Sequence, residues 1–164
     1  MAASTATTCT IPVTALRSSP YSLEWGASVF AKVFATNNYG NSLVSDPGNG
    51  AIITTTPDHP INLAEAPTQR TKSTLGLTWS QAPFTGGAVI IDYRISIANV
   101  GGVFSVLTSN VESSSYTALD LTAGIIYQFK IESRNSYGYS AYSDSITLLC
   151  AFKPDAPATV TTVN

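Results

Sequence analysis

The chain has 164 residues, and its 8 basic and 10 acidic residues give a formal net charge of −2, with only 11% of residues charged. An average soluble domain is roughly 25% charged. So few basic residues make a poor binding groove for phosphates, which argues against nucleic acid as a partner. The apolar runs are only a few residues long, so membrane insertion is not expected. The length fits one domain of ordinary size or two small ones.

The side chains offer little for catalysis. The single histidine, His59, lies in a Pro-Asp-His-Pro turn at residues 57–60, where a solvated turn residue is the ordinary role. No nucleophile-elbow, phosphate-loop or dinucleotide-binding motif occurs, and two cysteines with one histidine do not make a four-ligand zinc site. We therefore predict that the chain is not an enzyme and has no catalytic residue, metal site or cofactor.

Residues 1–56 match only the second half of the unit that follows them, and this match implies three strands, near 9–16, 29–37 and 42–54. In the second of them, Val29 and Val33 alternate with Phe30 and Phe34, so the valines are predicted to face inward and the phenylalanines outward. Two exposed phenylalanines on one sheet face suggest a covered surface. Phe30 and Phe34 are therefore predicted partner contacts, unless a linker or neighbouring module of the same chain covers them.

The rest of the chain alternates apolar and polar residues with a period of two. Leu75, Leu77 and Trp79 follow this pattern, and so do residues 91–97 and 125–131. Alternation of this kind predicts half-buried strands, and the Gly- and Pro-rich stretches between them predict turns. Short strands at this spacing, with no helical pattern, favour a β-sandwich. The predicted core residues are Trp79, Tyr93, Leu121, Tyr127 and Phe129, with Gly124 in the turn before the strand of Tyr127.

The sequence repeats itself at a distance of one whole domain. Residues 23–46 align without a gap with residues 121–144, an offset of 98. The Pro-Asp-His-Pro segment at 57–60 recurs as Pro-Asp-Ala-Pro at 154–157. Such a long period predicts tandem domains rather than the turns of a solenoid.

The segments 77–97 and 116–144 together resemble a fibronectin type III domain. The matching features are Trp79, the stretch from Pro83 to Tyr93, the Leu121-x-x-Gly124-x-x-Tyr127 corner and the hairpin that begins at Asn135. The resemblance implies an all-β, immunoglobulin-like sandwich of seven strands in two sheets. It also implies a role in adhesion, spacing or binding, without catalysis. Tandem modules with Pro-Asp-x-Pro linkers further resemble many-module surface proteins of ciliates and similar protists.

This resemblance divides the chain into three parts. Residues 57–150 form one complete module, residues 1–56 resemble only the C-terminal half of another, and residues 151–164 resemble a linker and the first strand of a following module. A half sandwich leaves an apolar face and strand edges unpaired. Three explanations stay open: a fragment of a longer repeat protein, completion by the tail strand of a neighbouring chain joined head to tail, or a disordered N-terminal segment.

The predicted function is that of a non-catalytic structural or adhesion module of an extracellular or cell-surface repeat protein. Its predicted partners are other protein modules, including copies of itself joined head to tail into a fibre. The alternative is a protein- or glycan-recognition module that uses the Tyr-rich loop near 137–142, where Tyr139 and Tyr142 are the predicted contacts. Tyr137 recurs as Tyr39 in the repeat, which favours a turn role for it.

Cys9 and Cys150 lie in different modules, so they are not expected to form a bridge within one module. The resemblance to repeat proteins implies a partner for Cys9 in the missing half of its module. A Cys150–Cys9 bond between successive chains would staple a fibre, and free buried thiols are the alternative. No Asn-x-Ser/Thr sequon occurs, whereas clusters of Ser and Thr at 5–8, 54–56, 113–115 and 159–162 are candidate sites for O-glycans.

Overall fold

The computed structural model describes residues 8–154 and residue 156. The proposed first strand of a following module, the threonines at 159–162 and most of the cluster at 5–8 lie outside these residues. Within the described part, strands predominate and the helices are short.

The first part of the chain consists of short elements. Helix α1 (Val13–Arg17) is followed by the two-residue strands β1 (Ser28–Val29), β2 (Thr36–Asn37), β3 (Gly40–Asn41) and β4 (Ala51–Ile52). Strand β1 pairs with β4 and β2 pairs with β3, both antiparallel. These four strands make two separate two-stranded ribbons.

The prediction of a strand near 9–16 is wrong, because α1 occupies this place. Pro12 stands at its N-cap, and the Ser18 side chain donates a hydrogen bond to the carbonyl oxygen of Thr14. A strand must find backbone partners on a neighbouring strand, whereas a helical turn satisfies part of its backbone locally. Residues 13–17 therefore form a helical turn instead of a strand.

The predicted two-faced strand at 29–37 is also corrected. Only its ends pair as strands, and three further backbone hydrogen bonds join residues 31–35 to residues 42–48. Phe30 and Phe34 are 62% and 58% exposed as predicted for outward residues, but Val33, predicted to face inward, is 68% exposed. The valine face is exposed because no second sheet lies over it in the described part of the chain.

The second part of the chain is a sandwich of two sheets. The three-stranded sheet has the order β5-β6-β9, and the four-stranded sheet has the order β11-β10-β7-β8. All neighbours in both sheets are antiparallel. The strands are β5 (Ile61–Glu65), β6 (Leu75–Ser80), β7 (Asp92–Asn99), β8 (Ser105–Val111), β9 (Ser115–Ala118), β10 (Ile126–Arg134) and β11 (Ile146–Leu149).

One core lies between these two sheets. The residues of its buried cluster come from both sheets: Leu75, Leu77, Trp79, Tyr93, Ile95, Ala118, Leu121, Phe129, Ile131, Leu148 and Cys150. Trp79 and Tyr93 face each other edge-to-face, with ring centroids 5.3 Å apart. Such a pair adds roughly 0.5–1.5 kcal/mol to the free energy gained by burial of its area.

The register of β7 and β10 determines which residues face outward. Ile131 lies opposite Ile95 on the core side, while Glu132 lies opposite Arg94 on the outer side. Since side chains alternate along a strand, the outer face carries charged residues directly above an apolar interior. The predicted alternation is thus reproduced in β10 from Tyr127 to Ile131, whereas Ile125 precedes the strand and is exposed.

The repeat found in the sequence is also a repeat of hydrogen bonds. In the sandwich, Ser140 and Ser143 accept bonds at their Oγ atoms from the N–H groups of Ser133 and Ile131. Their counterparts Ser42 and Ser45 accept bonds from the N–H groups of Ala35 and Val33 in the same way. The hairpin therefore has the same local structure in both parts, although a core lies beneath only one of them.

Candidate interaction site

The side chain of Asn135 joins three segments at the end of the sandwich. Its Nδ2 donates hydrogen bonds to the carbonyl oxygens of Thr55 (2.7 Å) and Thr85 (2.8 Å). Its Oδ1 accepts bonds from the backbone N–H groups of Tyr137 and Gly138. Asn135 is almost fully buried, so each of these bonds replaces one that water would otherwise make. The turn after β10, the linker at 55 and the loop after β6 are thereby held together.

Two consecutive glycines form the contact surface of that loop. Gly86 and Gly87 have φ angles of +73° and +81°. A Cβ on Gly86 would lie 2.2 Å from the carbonyl oxygen of Thr55, and one on Gly87 would lie 2.5 Å from the backbone N of Gly26. The Thr55 N–H also donates a bond to the Gly86 carbonyl oxygen at 2.9 Å. Only glycine permits both the backbone conformation and this close approach. We call the contacts of residues 25–26 and 53–55 with Gly86–Gly87 and Asn135 the joint.

The linker that follows is fixed to the sandwich as well. Asp58 donates its N–H to the carbonyl oxygen of Phe84, and its own carbonyl oxygen accepts a bond from the Ser133 hydroxyl. Pro57 and Pro60 are buried. The Pro-Asp-His-Pro segment is therefore an ordered part of the surface of the sandwich, and not a free tether.

Tyr139 lies on the outer face of the four-stranded sheet. Its ring stacks on the guanidinium groups of Arg94 and Arg134, whose Cζ atoms lie 3.9 Å and 5.4 Å from the ring centroid. Arg94 makes a two-pronged ion pair with Glu132, and Arg134 makes one with Asp92. The pKa of each arginine is raised, mainly by its hydrogen bond to the carboxylate. The half-buried Tyr139 ring thus covers two neutralised ion pairs, and its contact with a partner remains a prediction.

Tyr142 is more accessible, with 46% of its surface exposed. Lys130 lies beside it, with Nζ 5.7 Å from the Tyr142 ring centroid and 4.5 Å from that of Phe104. A cation between two aromatic rings forms a small amphipathic patch. Tyr137, assigned a turn role in the sequence, is largely exposed as well.

The predicted contact residues of the first part have local surroundings of their own. The ring of Phe30 covers Gly50, where an added Cβ would come within 2.8 Å of its Cε1. Trp25 stacks under the Arg17 guanidinium at 4.2 Å. Phe30 and Phe34 remain largely exposed, together with Leu43 and Val44. This part of the chain therefore has an extensive exposed apolar surface.

Both cysteines are free thiols, and they differ in accessibility. Cys9 is exposed, whereas Cys150 is completely buried, with its Sγ 3.4 Å from the carbonyl oxygen of Lys72. A thiolate must reach its partner directly to form a disulfide. A bond from Cys150 to a second chain would therefore require β11 to open at its end.

The corner before β10 has the geometry that the sequence motif predicts. The Tyr127 hydroxyl oxygen accepts a hydrogen bond from the Thr122 N–H at 3.0 Å, and Leu121 is buried. Gly124 has a φ of +83°, which favours glycine at this turn. Thus Leu121, Gly124 and Tyr127 act together to fix the corner.

His59 lines a shallow pocket with residues 60–63 and 143–145, which include Asp144. Over the described residues, no ion pair or hydrogen bond joins His59 to Asp144. Nor does any group of three potential metal ligands occur there. No helix in the described part is long and apolar enough to cross a membrane.

The residues of the joint were not identified as a site from the sequence. In the sequence, Asn135 stands at the start of a hairpin, Gly26 lies within the aligned segment 23–46, and Gly86–Gly87 lie within the stretch from Pro83 to Tyr93. The signal was present in the repeat, since a glycine and an asparagine that recur one domain apart hold structurally equivalent positions. What the sequence lacks is the distance between residue 26 and residue 87.

Comparison with solved structures gives many similar folds. The chain resembles a crystal structure of titin domains (TM-score 0.63, 20% identity), covering 79% of this chain and 43% of that one. It also resembles the FN1–FN3 domains of chicken CNTN1 (TM-score 0.52, 17% identity, 80% of this chain and 45% of that one). A third similar structure is the twitchin kinase region of C. elegans (TM-score 0.55, 22% identity, 59% of this chain and 17% of that one). The chain thus spans less than half the length of these structures.

The family assignment rests on the sequence match and on the fold together. The family model of the fibronectin type III domain matches residues 60–148, more than half of the chain. This range coincides closely with the sandwich from β5 to β11. The match confirms the resemblance and the predicted all-β sandwich. Modules of this family are in general non-catalytic and serve as structural or interaction units. The chain belongs to the fibronectin type III domain family.

Proposed function

We propose that this chain is a pair of structural modules in an extracellular or cell-surface repeat protein. In this role, the rigid joint fixes the distance and the orientation between the two modules. In this proposal residues 57–150 form the complete module and residues 1–56 form part of a second one. The observation that carries the proposal is the hydrogen bonding of the joint, in which Asn135 and Gly86 bind both backbone groups of Thr55. A flexible connection would leave these groups to water.

Amide hydrogen exchange in the full chain tests this proposal. The Thr55 N–H should exchange at least about tenfold more slowly than an unstructured amide, since its exchange requires the joint to open. The amide of Gly101, in an exposed turn, serves as the fast reference. Nitrogen-15 relaxation should give one correlation time for residues 28–52 and 61–149. Fast exchange at Thr55 with two independent correlation times would exclude the rigid joint.

We extend the proposal to assembly of copies head to tail, in which a neighbouring chain covers the exposed apolar surface of the first part. The exposure of Phe30, Val33 and Phe34 supports it, because soluble proteins seldom leave apolar surface of this extent uncovered. Light scattering after size exclusion, with and without reductant, tests it. Large species that appear as fibres by electron microscopy would support assembly, whereas a monomer of 17.2 kDa in both buffers would exclude it.

A second candidate function is protein or glycan recognition by the loop at 137–142. The patch of Phe104, Lys130 and Tyr142 favours it, because aromatic rings beside a cation suit a polar ligand with an apolar face. Binding to immobilised glycans should fall at least about tenfold in Tyr142→Ala if this patch recognises them. Tyr139→Ala, measured in parallel, shows whether the ring that stacks on two arginines contributes to binding as well. Equal binding by wild type and Tyr142→Ala would exclude the patch as the site.

A further inference from the structure

The joint has a structural counterpart at the opposite end of the sandwich. At the joint, Gly26 donates its N–H to the carbonyl oxygen of Ile53 (2.8 Å), and Ile53 donates its own to Ala27 (3.0 Å). At the other end, Gly124 donates to Cys150 (2.8 Å), and Cys150 donates to Ile125 (2.9 Å). The φ angles of Gly26 and Gly124 are +89° and +83°. The same backbone arrangement therefore occurs twice.

Among the residues that the structure describes, only the first of these two surfaces is covered. A Cβ on Gly26 would meet the Gly87 carbonyl oxygen at 3.2 Å, whereas nothing described lies within 4 Å of a Cβ on Gly124. Ile125 follows Gly124 directly in the chain, and Phe152 is 62% exposed. Phe152 stands two residues after Cys150, as Thr55 stands two residues after Ile53. No described residue accepts a backbone hydrogen bond from the Phe152 N–H.

We propose that the surface of Gly124, Ile125 and Phe152 is a docking site for a further fibronectin type III module, and that it recognises a loop with two consecutive glycines at positive φ. In the docked state, the Phe152 N–H would donate a hydrogen bond to the carbonyl oxygen of the first of those two glycines, as the Thr55 N–H donates to the Gly86 carbonyl oxygen. This inference rests on the proposed function, because it treats the joint as a repeated element of a module array.

The covered surface at Gly26 indicates which partner would bind the exposed surface at Gly124. There the backbone of Gly87 approaches the site so closely that no other residue fits without displacement. A second copy of this chain does not offer such a loop, because its own Gly86–Gly87 is already covered by its own joint. A module that follows at the spacing set by Pro154-Asp155-Ala156-Pro157, the repeat of residues 57–60, has this loop free.

An extended chain provides the test. Residues 1–157 are followed directly by residues 61–164 of the same sequence, so that the added module begins at the spacing that Pro60 and Ile61 have here. We expect the Phe152 amide to exchange at least about tenfold more slowly in the extended chain than in the original one, approaching the rate of Thr55. Unchanged exchange of the Phe152 amide would overturn the inference.

Two variants of the added module sharpen the result. Gly87→Ala in that module only should restore fast exchange at Phe152, because its methyl group would collide with the Gly124 corner. Gly101→Ala in the same module is the matched control, since Gly101 has a similar φ of +78° but nothing within 4 Å of a Cβ. Core amides of the added module report whether each variant is folded. Equal loss of Phe152 protection in the two variants would overturn the role of the glycine loop.

Thr55 separates the two proposals. Slow exchange at Thr55 with fast exchange at Phe152 in the extended chain rejects the docking site and leaves the proposed function intact. Fast exchange at both rejects the proposed function, and the docking site with it. Protection of Phe152 in the original chain that rises with protein concentration would identify a second copy as the occupant, and would overturn the choice of a following module.

Discussion

The Nδ2 of Asn135 donates a hydrogen bond to the carbonyl oxygen of Thr55 across 2.7 Å, although the two residues lie in different parts of the chain. One side chain thereby links the family-matched sandwich to the segment that precedes it. Within the described residues, the side chain of the equivalent asparagine of the first part, Asn37, makes only the local bond, accepted from the Tyr39 N–H. The joint thus adds a long-range role to a residue that otherwise shapes a turn.

Asn135→Asp should destabilise the protein by about 1–3 kcal/mol, since it removes both donors and places a carboxylate against two carbonyl oxygens. The acceptor for the N–H groups of Tyr137 and Gly138 is retained. The measurement is urea unfolding at neutral pH. Asn37→Asp is the control, with an expected change within about 0.5 kcal/mol because Asn37 is exposed. Losses of equal size in the two variants would contradict this role of the Asn135 amide.

Gly87→Ala in the chain itself should open the joint, because its Cβ would lie 2.5 Å from the backbone N of Gly26. We expect the Thr55 amide to exchange at least about tenfold faster while the core amides of β10 stay protected. Gly101→Ala carries similar backbone strain without the collision. It should leave Thr55 exchange unchanged, and acceleration in both variants would mean that strain alone explains the effect.

Phe129→Ala should lower the free energy of unfolding by about 3–5 kcal/mol, because this ring is completely buried between the sheets. Phe34→Ala should change it by less than about 0.5 kcal/mol in a dilute monomer, since Phe34 is 58% exposed. Thermal and urea unfolding measure both. A large loss in Phe34→Ala would show that the ring is covered in solution, contrary to the exposed surface described above.

Tyr93 should make stability fall at alkaline pH. Burial raises the pKa of its hydroxyl above the ordinary value near 10. The unfolded chain therefore releases this proton at a lower pH than the folded one, so its contribution to stability is complete below about pH 10 and is lost as the pH rises through the folded pKa. Urea unfolding between pH 8 and pH 11 measures the slope. Tyr93→Phe should show a shallower decline, and identical slopes would refute the assignment.

The two thiols should react at very different rates. A thiol reagent added to the native protein should modify Cys9 rapidly and leave Cys150 unmodified until the protein is unfolded, because only Cys9 is exposed. Titration with Ellman's reagent, with and without denaturant, counts the reactive groups. Cys9→Ser should abolish the fast phase. Rapid modification of two thiols in the native wild type would mean that the end of β11 opens readily, as a Cys150–Cys9 bond between chains requires.

Much of the sandwich could be predicted from the sequence, for local reasons. The alternation around Trp79, Tyr93 and Phe129 gave the strands, and burial on one side followed from it. The corner of Leu121 and Tyr127 was recognisable because its hydrogen bond spans only five residues, from Thr122 to Tyr127. The prediction of a strand near 9–16 was wrong because it depended on distant residues. A strand needs partner strands, and a short segment does not specify them by itself.

Less of the candidate site could be predicted from the sequence. Tyr139 stays a predicted partner contact, but the sequence did not show that the register of β7 and β10 places Arg94 and Arg134 beneath its ring. Phe30 and Phe34 are exposed as expected, yet their contact with a partner remains a prediction. Exposure follows from local pattern, whereas the neighbour that covers a ring is set by register and packing.

The sequence alone determined that this is an all-β chain of the fibronectin type III type, with a repeat at an offset of 98 residues. Alternation and turn residues carry that information because they act over a few residues. Only the tertiary structure decided that Gly26 meets Gly87 and that Asn135 binds Thr55. Those contacts join residues far apart in the chain, and their distances are set by the packing of whole sheets.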